Sequence, residues 1–231
     1  MFYIKLADLK IKIENKYEYI SDMCKDYLTD GGNENFSLSV TQEEILREQA
    51  GQEGFPLGYL ESLAIYRKIA EMLPAYGGFL MHGAVITYED TGIAFLARSG
   101  VGKTTHIVNW KKLFGDKVKP VNGDKPLVRL IDNNVFVYGT PWAGKENVHR
   151  NTRAILKKIC FIERDVNSSV TEISKKEAFE RFLPQVYLDK NYTAFGVIDE
   201  CFKKCEFYLI KCNRDISSAQ TAFDGIMTKG L

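Results

Sequence analysis

Residues 2 to 13 alternate between apolar and polar, with Tyr3, Lys5 and Ala7 set against Ile4, Leu6 and Asp8, and Ile11 and Ile13 flanking Lys12. That period of two predicts a strand or hairpin. A polar loop at Gly31 to Asn35 follows, then a short strand over Phe36 to Val40. Thr41 with Glu44 has the spacing of a capping box, so a helix starts there and stops at Gly51 and Gly54. From Leu57 to Leu73 the apolar positions Leu60, Leu63, Ala64, Tyr66, Ile69, Ala70 and Leu73 recur at helical spacing, and Pro74, Gly77 and Gly78 close the helix. A soft boundary is expected near residue 75, with residues 1–75 forming a small α+β segment packed on a core of residues 76–231.

In that core, Phe79 to Thr87 and Gly92 to Leu96 read as two strands joined by a turn at Tyr88 to Thr91. Ile107, Trp110 and Phe114 fall on one helical face that Gly115 ends. Val118 to Val121 is a strand running into Asn122, Gly123 and Asp124, and Leu127 to Ile131 with Val135 to Tyr138 make a hairpin. Residues 155 to 163 hold a buried strand. Ser174 and Glu177 predict a second capping box, before a helix over Ala178 to Leu183. Asn191 to Lys204 is predicted helical, Phe207 to Cys212 a strand and Ser217 to Met227 a last helix. Strands feeding one another through tight turns imply an α/β core whose mixed sheet contains antiparallel hairpins.

Composition narrows the class. The chain has 231 residues, 45% hydrophobic and 26% charged, enough for one sizeable core. Lys+Arg 31 against Asp+Glu 30 leaves a net charge of +1 without a long basic run, which argues against nucleic acid and anionic membranes as partners. The start lacks a signal-like apolar segment, no run is long enough to span a membrane, and five unevenly placed cysteines suit reduced thiols, so a cytoplasmic location is expected. Cys201, Cys205 and Cys212 depart from zinc-site spacing and have no histidine nearby, so they read as core.

The chemistry concentrates at Ala97 to Thr105, ARSGVGKTT, between a strand and a helix. It matches the phosphate-loop pattern GxxxxGK[ST] except that Ala97 replaces the first glycine. Ser99, Gly100, Val101, Gly102, Lys103, Thr104 and Thr105 are the candidate nucleotide contacts: backbone N–H groups and the helix N-terminus favour phosphate, Lys103 adds charge, and Thr104 offers Mg²⁺ a hydroxyl. Asp124, at a strand end about 21 residues beyond Lys103, is placed as a second Mg²⁺ ligand. His82 reads as a proton relay or as a structural histidine. His106 and His149 are assigned to the surface. Lys125, and Trp142, Lys145 and Glu146 in the loop GTPWAGKE, are candidate substrate contacts.

The run MHGAVITYEDTGIAFLARSGVGKTTHI and the later VNGDKPLV resemble the catalytic core of HPr kinase/phosphorylase, P-loop protein serine kinases related in fold to ATP-dependent phosphoenolpyruvate carboxykinase. YGTPWAGKEN and LKKICFIERDVNS extend the likeness to about two thirds of the chain, leaving the first 75 residues outside it. The resemblance implies ATP on Ser99 to Thr105, Mg²⁺ at Thr104 and Asp124, His82 opening the histidine-glycine strand, and Lys103 and Asp124 as catalytic groups. It implies γ-phosphoryl transfer to a hydroxyl, serine first, of a protein, peptide or small molecule. HPr kinases form oligomers, so a homo-oligomer is open to this chain. They also carry paired aspartates where Gly123 and Asp124 stand, and an acidic residue at the place of Thr105. A carboxykinase-like enzyme and a nucleotide-binding regulatory module without transfer are the alternatives.

Overall fold

The computed structural model describes residues 1–49, 51 and 54–228, and the chain divides into two compact units, Met1–Tyr76 and Gly77–Leu231. In the first, β1 (Phe2–Leu6) and β2 (Leu9–Glu14) pair as an antiparallel hairpin, and β3 (Phe36–Ser39) joins β2 in parallel. Ala7 and Asp8 turn the hairpin with left-handed backbones (φ 52° and 58°), the geometry that suits the twist of paired strands. The helices are α1 (Tyr19–Met23), α2 (Gln42–Arg47) and α3 (Leu57–Met72). The Thr41 and Glu44 capping box forms in full, and α2 ends at Arg47, ahead of the glycines expected to stop it. Alternation buries Ile4, Leu6, Ile11 and Ile13, and Ile20, Tyr27 and Ile45 are buried as well. Glu61 of α3 is fully buried and accepts the Lys16 N–H at 2.6 Å and the Tyr17 N–H at 3.0 Å. Two backbone donors thereby satisfy a carboxylate that would otherwise be costly to bury.

The second unit holds a ten-stranded mixed sheet among its described residues. Its elements are β4 (Gly78–Met81), β5 (Ala84–Tyr88), β6 (Thr91–Leu96), α4 (Lys103–Phe114), β7 (Val118–Asn122), β8 (Leu127–Ile131), β9 (Asn134–Tyr138), β10 (Arg153–Arg164), β11 (Ser169–Glu172), α5 (Lys175–Phe182), β12 (Val186–Tyr187), α6 (Phe195–Lys204), β13 (Glu206–Cys212) and α7 (Ile216–Met227). The long strand β10 forks the sheet. β6 lies parallel along one side of it, while on the other side Arg153 to Ile155 pair antiparallel with β9 and Lys158 to Arg164 pair parallel with β13.

Both faces are covered. Ala94 and Leu96 of β6 pack with Phe182, Ile198 and Phe202 of α5 and α6, whereas Ile93 and Phe95 pack with Ile107, Trp110, Ala219 and Ile226 of α4 and α7. A strand buried on both faces reads as the continuous apolar run seen at Gly92 to Leu96.

Several expected elements are corrected. Phe79 to Thr87 is two strands: β4 pairs with β8 and β12, and β5 with β6 and β7. The break at His82 and Gly83 is set by bonds from distant residues, His82 N–H to Gln185 O at 2.7 Å and Gly83 N–H to Asp124 O at 2.8 Å. The helix expected from Asn191 begins only at Phe195, because Asp189 accepts from Asn191, Thr193 and Ala194 and holds that stretch as a loop. Ser174 accepts the Glu177 N–H at 3.2 Å, but the Glu177 carboxylate bonds Arg181 at 3.1 Å, so half of that capping box forms.

Candidate functional site

The Ala97–Thr105 loop joins the buried strand β6 to α4. Its left-handed residues are Gly100 (φ 78°) and Gly102 (φ 125°), while Ala97 stands outside that region of backbone space and is 7% exposed. The replaced glycine is therefore one the loop does not need. Gly102 is the N-cap of α4 and offers no side-chain acceptor, so the first helical N–H groups keep their bonding capacity. Arg164, at the end of β10, reaches across to the loop: its Nε donates to Val101 O at 3.0 Å and its Nη2 to Gly100 O. The carbonyls at the loop tip are thus held down by a guanidinium.

Lys103 is 8% exposed and donates through Nζ to Ala97 O at 2.8 Å, with His82 Nε2 at 3.2 Å. Asp124 Oδ1 lies 3.3 Å from the same His82 nitrogen, and Gln185 Oε1 is 3.0 Å from His82 Nδ1. One imidazole nitrogen therefore faces an ammonium and a carboxylate together. Burial holds the Lys103 ammonium below lysine's usual range, with the Asp124 charge opposing the shift. Burial pushes Asp124 up, but the hydrogen bond and charge of His82, with the charges of Lys125 and Lys103, outweigh it and leave its carboxyl below the usual carboxylate range.

Asp124 is aimed by a fixed turn. Asn122 is fully buried and its Oδ1 accepts the N–H groups of Asp124 at 2.8 Å and Lys125 at 2.7 Å, while its Nδ2 donates to Thr140 O at 3.0 Å. The segment following β9 crowds the same turn. A Cβ at Gly123 would lie 3.0 Å from Ala143 O, and one at Gly144 (φ 75°) would lie 3.1 Å from the Asp124 Cβ. Both positions are closed to a side chain without displacement.

The structure brings His82, Lys103 and Asp124 together. Ser99, Gly100, Val101 and Gly102 form the loop, and Thr104 and Thr105 stand in the first turn of α4. Of the substrate candidates, Lys125 adjoins Asp124 in the turn, Lys145 and Glu146 are exposed, and Trp142 is 5% exposed, the burial of a packing residue. The surface assignment of His106 is overturned: it is 3% exposed, because Trp110 one helical turn on donates its indole N–H to His106 Nε2 at 3.0 Å and Phe95 packs against the ring. His149 is half-buried in a bridge with Asn122. All five cysteines are buried and unpaired, and Cys201 and Cys205 belong to the core.

Arg164, Gln185 and Asn122 escape the sequence reading. The first two reach the site from far along the chain, and only Asn122 carried a local sign, the Asn-Gly-Asp turn composition. Among the described residues, no helix is long and apolar enough to cross a membrane.

No protein-family model matches the chain, and no curated protein sequence does. Among solved structures it is similar to the Hpr(Ser) kinase/phosphatase from Coxiella burnetii, with a TM-score of 0.31 and 10% identity, over 41% of this chain and 70% of that one.

Proposed function

We propose that this protein is a Mg-ATP-dependent kinase that transfers the γ-phosphoryl group to a hydroxyl of a protein, peptide or small molecule, serine first. The observation that carries the reading is the convergence of Lys103, His82 and Asp124 beside a glycine loop whose helix N-terminus is uncapped by side chains. Such a loop cradles phosphate, and Lys103 places charge where the transferring group needs it. Thr104 and Asp124 suit Mg²⁺, which takes one or two protein oxygens and completes its shell with phosphate and water. Bound there, the ion would neutralise charge on the β- and γ-phosphate oxygens.

In the transfer, the bond between the acceptor oxygen and the γ-phosphorus forms, the bond to the β-γ bridging oxygen breaks, and ADP leaves. The acceptor's proton goes to Asp124. A carboxylate held below its usual range is a poor resting place for a proton, and His82 Nε2, 3.3 Å from Asp124 Oδ1, is the adjacent group to which it passes. Gln185 on Nδ1 fixes the ring for that relay.

One observation favours a second reading, nucleotide binding without transfer: a Cβ at Gly123 would lie 3.0 and 3.3 Å from Ala143 O and Val148 O, so a second carboxylate there would need both carbonyls to give way. Incubation with γ-labelled ATP and cell extract, followed by identification of the labelled species, separates the two. Label transferred to an acceptor by the wild type and lost in Asp124→Asn supports the kinase. ATP bound but uncleaved with every acceptor supports the module, and full turnover by Asp124→Asn removes Asp124 from the chemistry.

A further inference from the structure

Beside the loop, on the side of Val101, Thr105 and His106, lies a mostly apolar cleft of about 460 Å³ whose opposite wall is Cys212, Asn213 and Arg214 of the β13–α7 turn. Its size falls within the range of about 300–1,000 Å³ usual for small-molecule sites. Asn109 Nδ2 donates to Arg214 O at 3.2 Å and ties the two walls together. The polar groups around it are largely committed elsewhere. Asn213 takes Asp215 N–H at 2.8 Å and Ser218 Oγ at 2.7 Å and donates to Val166 O, Asp165 accepts from Asn167 N–H, and Arg164 is spent on the loop carbonyls.

His106, which lines the cleft beside Thr105, carries a donor of fixed tautomer. An indole nitrogen only donates, so the 3.0 Å bond from Trp110 Nε1 requires a bare lone pair on His106 Nε2 and places the ring's proton on Nδ1. Among the described residues Nδ1 has no protein acceptor. A donor with a fixed tautomer, set in the wall of an apolar cleft, can select for an acceptor in the group that fills it.

We propose that the cleft receives the base and ribose of the nucleotide whose phosphates lie on the Ala97–Thr105 loop, and that His106 Nδ1–H, its tautomer fixed by Trp110, donates to an acceptor on the base. The proposal rests on the phosphate-binding reading of the loop, and the ligands used to test it separate the two. Calorimetry on the full chain compares ADP with pyrophosphate, which has phosphates and no nucleoside. The wild type binds both and prefers ADP, and His106→Phe lowers ADP affinity about tenfold while pyrophosphate affinity is unchanged. Retained pyrophosphate binding also shows that the variant is folded. A second measurement uses the wild type alone: the ¹⁵N-histidine Nδ1–H signal of His106 shifts with ADP and stays in place with pyrophosphate. Equal wild-type affinity for the two ligands, unchanged ADP affinity in His106→Phe, or a His106 signal insensitive to ADP overturns the cleft proposal and leaves the loop reading standing. Failure of the wild type to bind either ligand overturns both.

Discussion

Arg164→Ala removes the guanidinium that holds the loop tip. Two hydrogen bonds from a charged donor, to Val101 O and Gly100 O, are lost. Bonds to charged groups contribute about 1.5–3 kcal/mol each when sheltered, but Arg164 is exposed, so about 1 kcal/mol per bond is the fitting figure. The sum of about 2 kcal/mol falls on the ordering of the loop, since the guanidinium contacts loop carbonyls at the surface. A ligand that needs the ordered loop then restores that order from its own binding energy, and pyrophosphate affinity falls about thirtyfold. Arg164→Lys does not rescue it, because a single ammonium cannot serve two carbonyls in the fork geometry of arginine. Titration calorimetry with pyrophosphate, with a thermal unfolding curve as the fold control, reads the effect. Affinity within twofold of wild type in Arg164→Ala would refute the clamp.

Gly144→Ala meets both a left-handed φ of 75° and the Asp124 Cβ at 3.1 Å, so it costs about 1–2 kcal/mol of stability and lowers turnover more than ADP affinity, as paired denaturation and kinetic measurements would show. The carboxyl of Asp124 titrates below its ordinary value of 3.8 in the folded chain, so its stabilising share is complete above 3.8 and is lost as pH falls through the lower native value. The stability gap between wild type and Asp124→Asn is therefore flat near neutrality and shrinks in acid, and a gap that widens in acid contradicts the assignment. In the first unit, Glu61→Leu leaves the Lys16 and Tyr17 N–H groups unbonded and costs about 2–4 kcal/mol, measured by urea denaturation.

What could be read from the chain alone was what neighbours in sequence decide. The hairpin of β1 and β2, the capping box of Thr41, the helix of Leu57–Met72 and the ARSGVGKTT loop are each written within a few residues of one another. The break inside Phe79 to Thr87 was hidden because residues 82 and 83 lie between two apolar runs, and the bonds that pull them out of line come from Gln185 and Asp124, far along the chain. For the same reason His82 was legible as a candidate and its Gln185 partner was not. His106 shows the opposite failure: the spacing to Trp110 was in plain view at one helical turn, but a polar residue type in the first turn of a helix argues for exposure, and only packing on Phe95 settles it. Gly123 was visible in the chain, whereas the carbonyls of Ala143 and Val148 that crowd it lay in the fold.

The forked strand β10 also bears on the order in which the sheet is expected to assemble. Its first residues pair with β9, a short way back along the chain, whereas Ile155 to Phe161 pair with β6 and Lys158 to Arg164 with β13, both far along the chain. Closing the short loop costs less entropy than closing the long ones, so the β8, β9 and early β10 ladder is expected to form first in refolding, which pulsed hydrogen exchange would check. Arg164 belongs to the late half. If the loop binds pyrophosphate as proposed, that binding is expected to return late in refolding, after β13 has paired with β10 and brought Arg164 to the loop.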